Sequence, residues 1–102
     1  MTPRWGGCET QGMDFATHAD LTGRLRGLVI LLGERLRLDQ ARFVEELIDA
    51  SEFGVALEML ADWLSEDRTA LPADMQLDFE LLASRMGNVE RVMGPLGLCP
   101  SE

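Results

Sequence analysis

Apolar residues in this 102-residue chain recur with the period of an α-helix, and this pattern constrains the fold most. The clearest run consists of leucines spaced four, three, four and four residues apart: Leu21, Leu25, Leu28, Leu32 and Leu36. Side chains at this spacing lie on one face of a helix. No segment shows the convincing apolar–polar alternation of a β-strand, so the pattern predicts an all-α fold.

Turn residues divide this pattern into successive helices joined by short loops. We predict helices over residues 20–36, 39–50, 52–66, 72–86 and 89–93. Short loops between amphipathic helices place neighbours antiparallel. The expected architecture is therefore a compact antiparallel bundle of four helices plus a short C-terminal helix.

Residues with known positional preferences mark the ends of these helices. The residues expected to cap helix starts are Asp20 or Thr22 for the first helix, Ser51 for the third and Asn88 for the last. Pro72 suits the first turn of the fourth helix, where its missing N–H is not needed. Gly87 suits the position after that helix, and Gly94-Pro95 is expected to stop the last one.

The second, third and fourth helices carry their own apolar stripes. These are Phe43, Val44, Leu47 and Ile48; Phe53, Leu57, Leu60 and Leu64; and Met75, Phe79, Leu82 and Met86. Leu77 and Leu81 lie away from the last stripe. Two interpretations stay open for them: packing under the first helix or the C-terminal segment, or a second contact surface or dimer face.

The two ends of the chain differ from its middle. The first thirteen residues are rich in glycine and without period, so we expect a flexible N-terminal tail over 1–13, with Met13 an alternative start to Met1. A single helical domain is expected over 14–98 and a short C-terminal tail over 99–102. Cys8 and Cys99 are expected to stay reduced, a bridge between them being the alternative.

Composition excludes several classes of function. Nine Lys+Arg against eighteen Asp+Glu give a net charge of −9, which argues against nucleic acid or an anionic membrane as partner. The chain has no lysine, so a lysine nucleophile is excluded. The longest uncharged apolar run, residues 27–33, is far shorter than the ~20 residues of a membrane span. We therefore expect a soluble cytoplasmic protein.

Catalytic and metal-binding signatures are missing from the sequence. It contains no Gly-rich phosphate loop and no nucleophile elbow. His18 is the only histidine, too few for a zinc site with the two cysteines, and we expect it to be solvated or to cap a helix. The chain is accordingly predicted not to be an enzyme and to use no metal or cofactor.

Negative charge is concentrated in the middle of the chain. Residues 39–80 contain two arginines and twelve acidic residues. Five of the acidic residues recur at a spacing of four along the second and third helices: Glu45 and Asp49, then Glu58, Asp62 and Glu66. Few arginines occupy compensating positions, and like charges at this spacing repel by roughly 0.2–0.5 kcal/mol per pair. This ridge predicts a basic partner, although a purely solvated face explains it too.

Apolar residues flank the acidic ridge. Val55 and Met59 lie beside it, and Trp63 lies at its margin. Apolar or aromatic anchors ringed by carboxylates are typical of protein-binding hot spots. The alternative for Trp63 is a residue at the edge of the core.

The central segment resembles the MafI-type immunity proteins of polymorphic toxin systems. The resemblance covers roughly residues 36–95 and is most specific at 52–60, where an acidic residue precedes Phe-Gly-x-Ala-Leu-Glu-x-Leu. It implies a small helical protein that binds a secreted toxin's C-terminal domain and neutralises it without turnover. At the matching positions, Gly54, Ala56, Leu57 and Leu60 are expected to pack, and Glu52 and Glu58 to contact the partner.

Together, the charge pattern and the resemblance predict a binding site for a basic cognate toxin domain, such as a cationic nuclease. The predicted contact residues are Glu45, Asp49, Glu52, Glu58, Asp62, Trp63 and Glu66. The alternative function is a small acidic helical adaptor or regulatory subunit. It would act by protein–protein binding or by self-association through Leu77 and Leu81.

Overall fold

The computed structural model describes residues 15–101, apart from the side chain of Phe15. The predicted N-terminal tail, with Cys8 and the two candidate starts, lies outside the described residues. The helices are α1 Phe15–Leu32, α2 Leu38–Asp49, α3 Phe53–Glu66, α4 Ala73–Met86 and α5 Val89–Leu96. The predicted all-α bundle is confirmed: the described chain contains no strand, only an isolated bridge between Leu71 and Ser101.

The first helix begins and ends earlier than its leucine pattern predicts. Asp20 and Thr22 lie inside α1, so the prediction that one of them caps it is wrong; the Thr22 hydroxyl donates instead to the His18 carbonyl, at 2.8 Å. At the other end, Gly33 adopts a φ of +49°. This left-handed conformation, which glycine tolerates, turns the chain into a short 3₁₀ helix, Gly33–Arg35, before Leu36.

The turn between α2 and α3 and the first residue of α3 both contact His18 of α1. Ser51 was predicted to cap α3, but Glu52 occupies the cap position and Ser51 has a φ of +63°. The Ser51 hydroxyl lies 2.7 Å from His18 Nε2, and the His18 ring packs 5.1 Å from that of Phe53. His18 is thus a packing residue between two helices, where we had expected a solvated or capping residue.

The ends of α4 and α5 follow the prediction in part. Pro72 precedes α4 as its extended cap residue, and Gly87 follows α4 in the left-handed conformation predicted for it. The prediction that Gly94-Pro95 stops α5 is wrong, because the helix continues to Leu96. Burial of Leu96 in the core offsets the single hydrogen bond that Pro95 cannot donate.

All five helices contribute to the core, which forms where the predicted stripes of α1, α3 and α4 meet buried residues of α2 and α5. Its largest fully buried side chains are Phe79, Leu21, Leu25, Leu32, Ile48, Leu57, Leu60, Leu64, Leu71, Val44 and Val92. One prediction is wrong here: Phe43 was assigned to the core stripe of α2 but is 43% exposed. Leu77 and Leu81 are each more than half exposed, which favours the second of their two interpretations, a contact surface.

The segment predicted as a C-terminal tail lies against the loop before α4. Cys99 is buried, and the backbone N–H of Leu71 donates to the carbonyl of Pro100 at 3.0 Å. Burial raises the pKa of the Cys99 thiol, which disfavours the reactive thiolate. Among the helices of residues 15–101, none combines the length and the apolar character that a membrane crossing requires.

Candidate protein-binding surface

The structure distributes the seven predicted contact residues over three places. Glu45 and Asp49 face α1, and Glu58 faces α5. The others lie on or just before the outer side of α3: Glu52, Asp62, Trp63 and Glu66. The acidic residues therefore do not form one continuous ridge.

Glu45 and Asp49 share a single arginine from the first helix. Arg26 Nε lies 3.4 Å from Glu45 Oε1, and Arg26 Nη2 donates to Asp49 Oδ1. The expectation that these carboxylates lack a compensating arginine is wrong, because the cation comes from a distant part of the sequence. All three side chains are close to half exposed or more, so this contact contributes at most about 1 kcal/mol to stability.

Glu58 of α3 forms a hydrogen bond and an ion pair with residues at the start of α5. Its carboxylate accepts from Asn88 Nδ2 at 3.0 Å and pairs with Arg91 Nη2 at 3.2 Å, and its side chain is only 24% exposed. The same Asn88 amide group donates to the Gly54 carbonyl at 3.2 Å. Asn88 holds the cap position of α5 without the predicted side-chain cap bond: its Nδ2 group donates to α3, and its buried Oδ1, the atom that would accept the cap bond, has no partner among the described residues. Glu58 therefore has a structural role within the fold.

The remaining predicted residues frame an aromatic pair. The half-buried Trp63 meets Phe43 of α2 edge-on, with ring centroids 6.2 Å apart and an interplanar angle of 61°. The spacing along α3 places Met59 and Glu66 on the same side as Trp63, with Val55 and Asp62 next to them. We call this surface the α2–α3 face; its members are Phe43, Glu52, Val55, Met59, Asp62, Trp63 and Glu66.

The carboxylates of the α2–α3 face have no counter-charge within the part of the chain that the structure describes. Within residues 15–101, no arginine or histidine forms an ion pair with Glu52, Asp62 or Glu66. Trp63 also packs against the core, as its alternative interpretation, a residue at the edge of the core, predicts. Its role as a binding anchor stays a prediction. Such a surface is chemically suited to bind a basic, partly apolar protein.

Phe43 is the member of this face that sequence reasoning missed. It adjoins Val44 in the sequence, and both looked equally suited to the core stripe of α2. The structure instead turns Gln40, Val44 and Ile48 inward, with Gln40 Oε1 accepting from the backbone N–H of Arg37 at 3.0 Å. The sequence contains one indication of this arrangement: Gln40, Val44 and Ile48 recur at a spacing of four. Because the first of them is a polar glutamine, the three residues do not look like an apolar stripe.

A second surface lies between α1 and α4, which are joined at one end by an ion cluster. Asp20 accepts from Arg24 Nε at 3.0 Å and from Arg85 Nη1 at 2.6 Å. Beyond this cluster the two helices leave a groove of about 410 Å³. We call it the α1–α4 groove; its lining includes Arg24, Gly27, Leu31, Asp78, Leu81 and Arg85.

Two carboxyls have a lowered pKa because arginines donate hydrogen bonds to them: Arg85 and Arg24 act on Asp20, and Arg37 acts on Asp39. Both carboxyls are therefore held in their charged form by neighbouring cations. In the part of the chain that the structure describes, no three His, Cys, Asp or Glu side chains are grouped to hold a metal ion.

No protein-family model matches this chain, and no curated protein or solved structure matches it either. The likeness to MafI-type immunity proteins therefore depends on the sequence pattern over roughly residues 36–95 alone, which is most specific at 52–60.

Proposed function

We propose that this chain is an immunity protein, acting in the cytoplasm, that neutralises a cognate secreted toxin domain by covering a basic surface on it. The observation that carries the proposal is the contact between the exposed Phe43 and the half-buried Trp63, on a face whose carboxylates form no ion pair within residues 15–101. The resemblance at residues 52–60 supports the same function. Such a protein acts by occlusion and needs no catalytic group.

The aromatic and the acidic residues of the α2–α3 face contribute to binding in different ways. Aromatic side chains at the centre of an interface supply most of the affinity, because they bury large rigid surfaces. Asp62 and Glu66 lie four residues apart and repel each other by about 0.2–0.5 kcal/mol in the free protein. A basic partner relieves this repulsion, and long-range attraction speeds its capture.

The geometry revises the set of contact residues in the proposal. Phe43, Asp62, Trp63 and Glu66 form its centre, and Glu52 lies at its edge. Glu45 and Asp49, shared with Arg26, are secondary contacts on a neighbouring side. Glu58 serves the fold and is not a central contact.

The test measures binding to the toxin domain encoded by the adjacent gene. Asp62→Arg with Glu66→Arg should lower the association rate constant roughly tenfold and flatten its salt dependence. Trp63→Ala should mainly raise the dissociation rate constant, with a loss of about 2 kcal/mol in binding free energy.

The matched control is Glu80→Arg with Glu90→Arg. These exposed carboxylates lie on α4 and α5 and change the net charge by the same amount. An equal loss in the control would show that total charge matters and that the α2–α3 face does not. If none of the variants altered binding, the surface assignment would be wrong; if the wild-type chain did not bind the toxin domain, the function would be wrong.

A helical adaptor or regulatory subunit is the second candidate. The exposure of Leu77 and Leu81 favours it, because these side chains give the molecule an apolar surface away from the α2–α3 face. The neighbouring genes discriminate the two functions. An upstream toxin gene with a delivery domain supports immunity, whereas an operon of metabolic or regulatory genes supports the adaptor.

A further inference from the structure

Exposed apolar side chains line the α1–α4 groove on both of its helices. Leu31 of α1 is 59% exposed and Leu81 of α4 is 54% exposed. Ile30 and Leu77, which are 75% and 52% exposed, lie on the same two helices outside the lining of the groove. The space beside Gly27 is open, since a Cβ built there would meet no atom within 4 Å.

The charges along the groove have opposite signs at its two ends. The Asp20 cluster contributes two arginines against one carboxylate, and so carries a net positive charge. Asp78 lies further along α4 and has no ion pair among the described residues. Along α4, Asp78 precedes Leu81 by three residues and Arg85 follows it by four. This end-to-end asymmetry is self-complementary when a second groove is laid over the first in the opposite direction.

We propose that a second copy of this chain docks along the α1–α4 groove in an antiparallel, two-fold arrangement. The symmetry axis passes close to Leu81, so that Leu31 and Leu81 of each copy pack into the groove of the other. Asp78 of each copy then faces Arg85 of the other copy. Each Asp78 thereby gains a counter-charge that residues 15–101 of its own chain do not provide.

The distribution of charge selects a second copy as the occupant. Two molecules with a net charge of −9 repel each other at long range, and they approach best through their least acidic sides. Helices α1 and α4 together contain three arginines and four acidic residues, a net charge of −1, whereas residues 38–66 contain one arginine and eight acidic residues, a net charge of −7. Docking through α1 and α4 leaves the α2–α3 face outside the dimer, so this inference does not depend on toxin binding.

Sedimentation velocity of the full chain, from low to high micromolar concentration, tests the proposal. The wild-type chain should shift from 11.3 kDa to twice that mass. Leu81→Glu should raise the dissociation constant of the dimer roughly 100-fold, because a carboxylate would be buried at the axis. Leu38→Glu is the matched control: Leu38 is 67% exposed at the start of α2, outside the groove, and its variant should dimerise like the wild type.

A charge exchange tests the orientation. Asp78→Arg alone and Arg85→Asp alone should each weaken the dimer, because like charges then meet at both ends. Mixed in equal amounts, the two variants should form heterodimers, in which both ends regain opposite charges. Circular dichroism of each variant establishes that it is folded.

The proposal is overturned if the wild-type chain stays monomeric over the whole range, which would leave the groove to another occupant, such as a helix of a different protein. It is also overturned if a dimer forms but Leu81→Glu leaves it intact, or if the Leu38→Glu control weakens it equally. Failure of the exchanged pair to form heterodimers would overturn the antiparallel arrangement.

Discussion

At the scale of single residues, Asp20 joins two helices through one carboxylate. Arg85 and then Arg24, by donating hydrogen bonds, lower the pKa of this carboxyl below its ordinary value of 3.8. Because the folded pKa lies below the unfolded one, the ionised group stabilises the fold above pH 3.8. That stabilisation is lost as the pH falls through the lowered pKa.

Replacement of Asp20 by Asn should therefore weaken the fold in a pH-dependent way. At neutral pH the Asp20→Asn variant should unfold at a lower urea concentration than the wild type, and the difference should vanish in strong acid. Glu90→Gln is the control, since Glu90 forms no ion pair within residues 15–101 and should show a smaller effect. A deficit that persisted in acid would mean that Asp20 acts through packing and not through its charge.

At the scale of elements, glycines at helix ends and in helix interiors have opposite effects on stability. Gly87 ends α4 with a φ of +76°, a conformation that costs a residue with a side chain about 1 kcal/mol or more. Gly23 lies inside α1 with open space around it.

Gly87→Ala should therefore lower the free energy of unfolding by about 1 kcal/mol, and Gly23→Ala should raise it by about 0.5–1 kcal/mol. Urea denaturation of both variants measures the two values. The matched pair separates backbone conformation from the added methyl group. Stabilisation by Gly87→Ala would contradict the left-handed end of α4.

The elements themselves were largely predictable, and their contacts were not. Helix periodicity and turn residues located five helices: α2 is displaced by one residue at both ends, and α3 and α4 each begin one residue later than predicted. The start of α1 was missed because a capping residue such as Asp20 also occurs inside helices. The continuation of α5 past Pro95 was missed because burial of Leu96 is a tertiary effect.

The candidate site was predictable only in part, for a similar reason. Asp62, Trp63 and Glu66 share one side of α3, as their spacing indicates. Glu45 and Glu58 were assigned to the same ridge, but each meets an arginine from another helix. Such pairings depend on how helices are arranged around the core, which the spacing within one helix does not specify.

At the scale of the whole molecule, the net charge of −9 opposes folding through self-repulsion. The ion pairs that the structure contains are mostly exposed and contribute little each. Salt screens both the attraction within the ion pairs and the repulsion among the carboxylates. The repulsion involves more groups, so screening should weaken it more than it weakens the ion pairs.

Raising NaCl from about 10 mM to about 300 mM should therefore increase the free energy of unfolding at neutral pH. Thermal and urea denaturation at low protein concentration measure this change without a contribution from self-association. Sodium sulfate is unsuitable, because sulfate strengthens apolar burial in addition to screening. A decrease in stability with NaCl would mean that the exposed ion pairs outweigh the repulsion.

The edge-on contact of Trp63 with Phe43 also gives the molecule an intrinsic optical reporter. The chain has two tryptophans, so replacing Trp5 with Phe leaves Trp63 as the only source of tryptophan fluorescence. This indole is half-buried beside an exposed ring, so its emission wavelength and its quenching by iodide depend on how much water reaches the α2–α3 face. Occupancy of that face is thus readable by fluorescence without any attached dye.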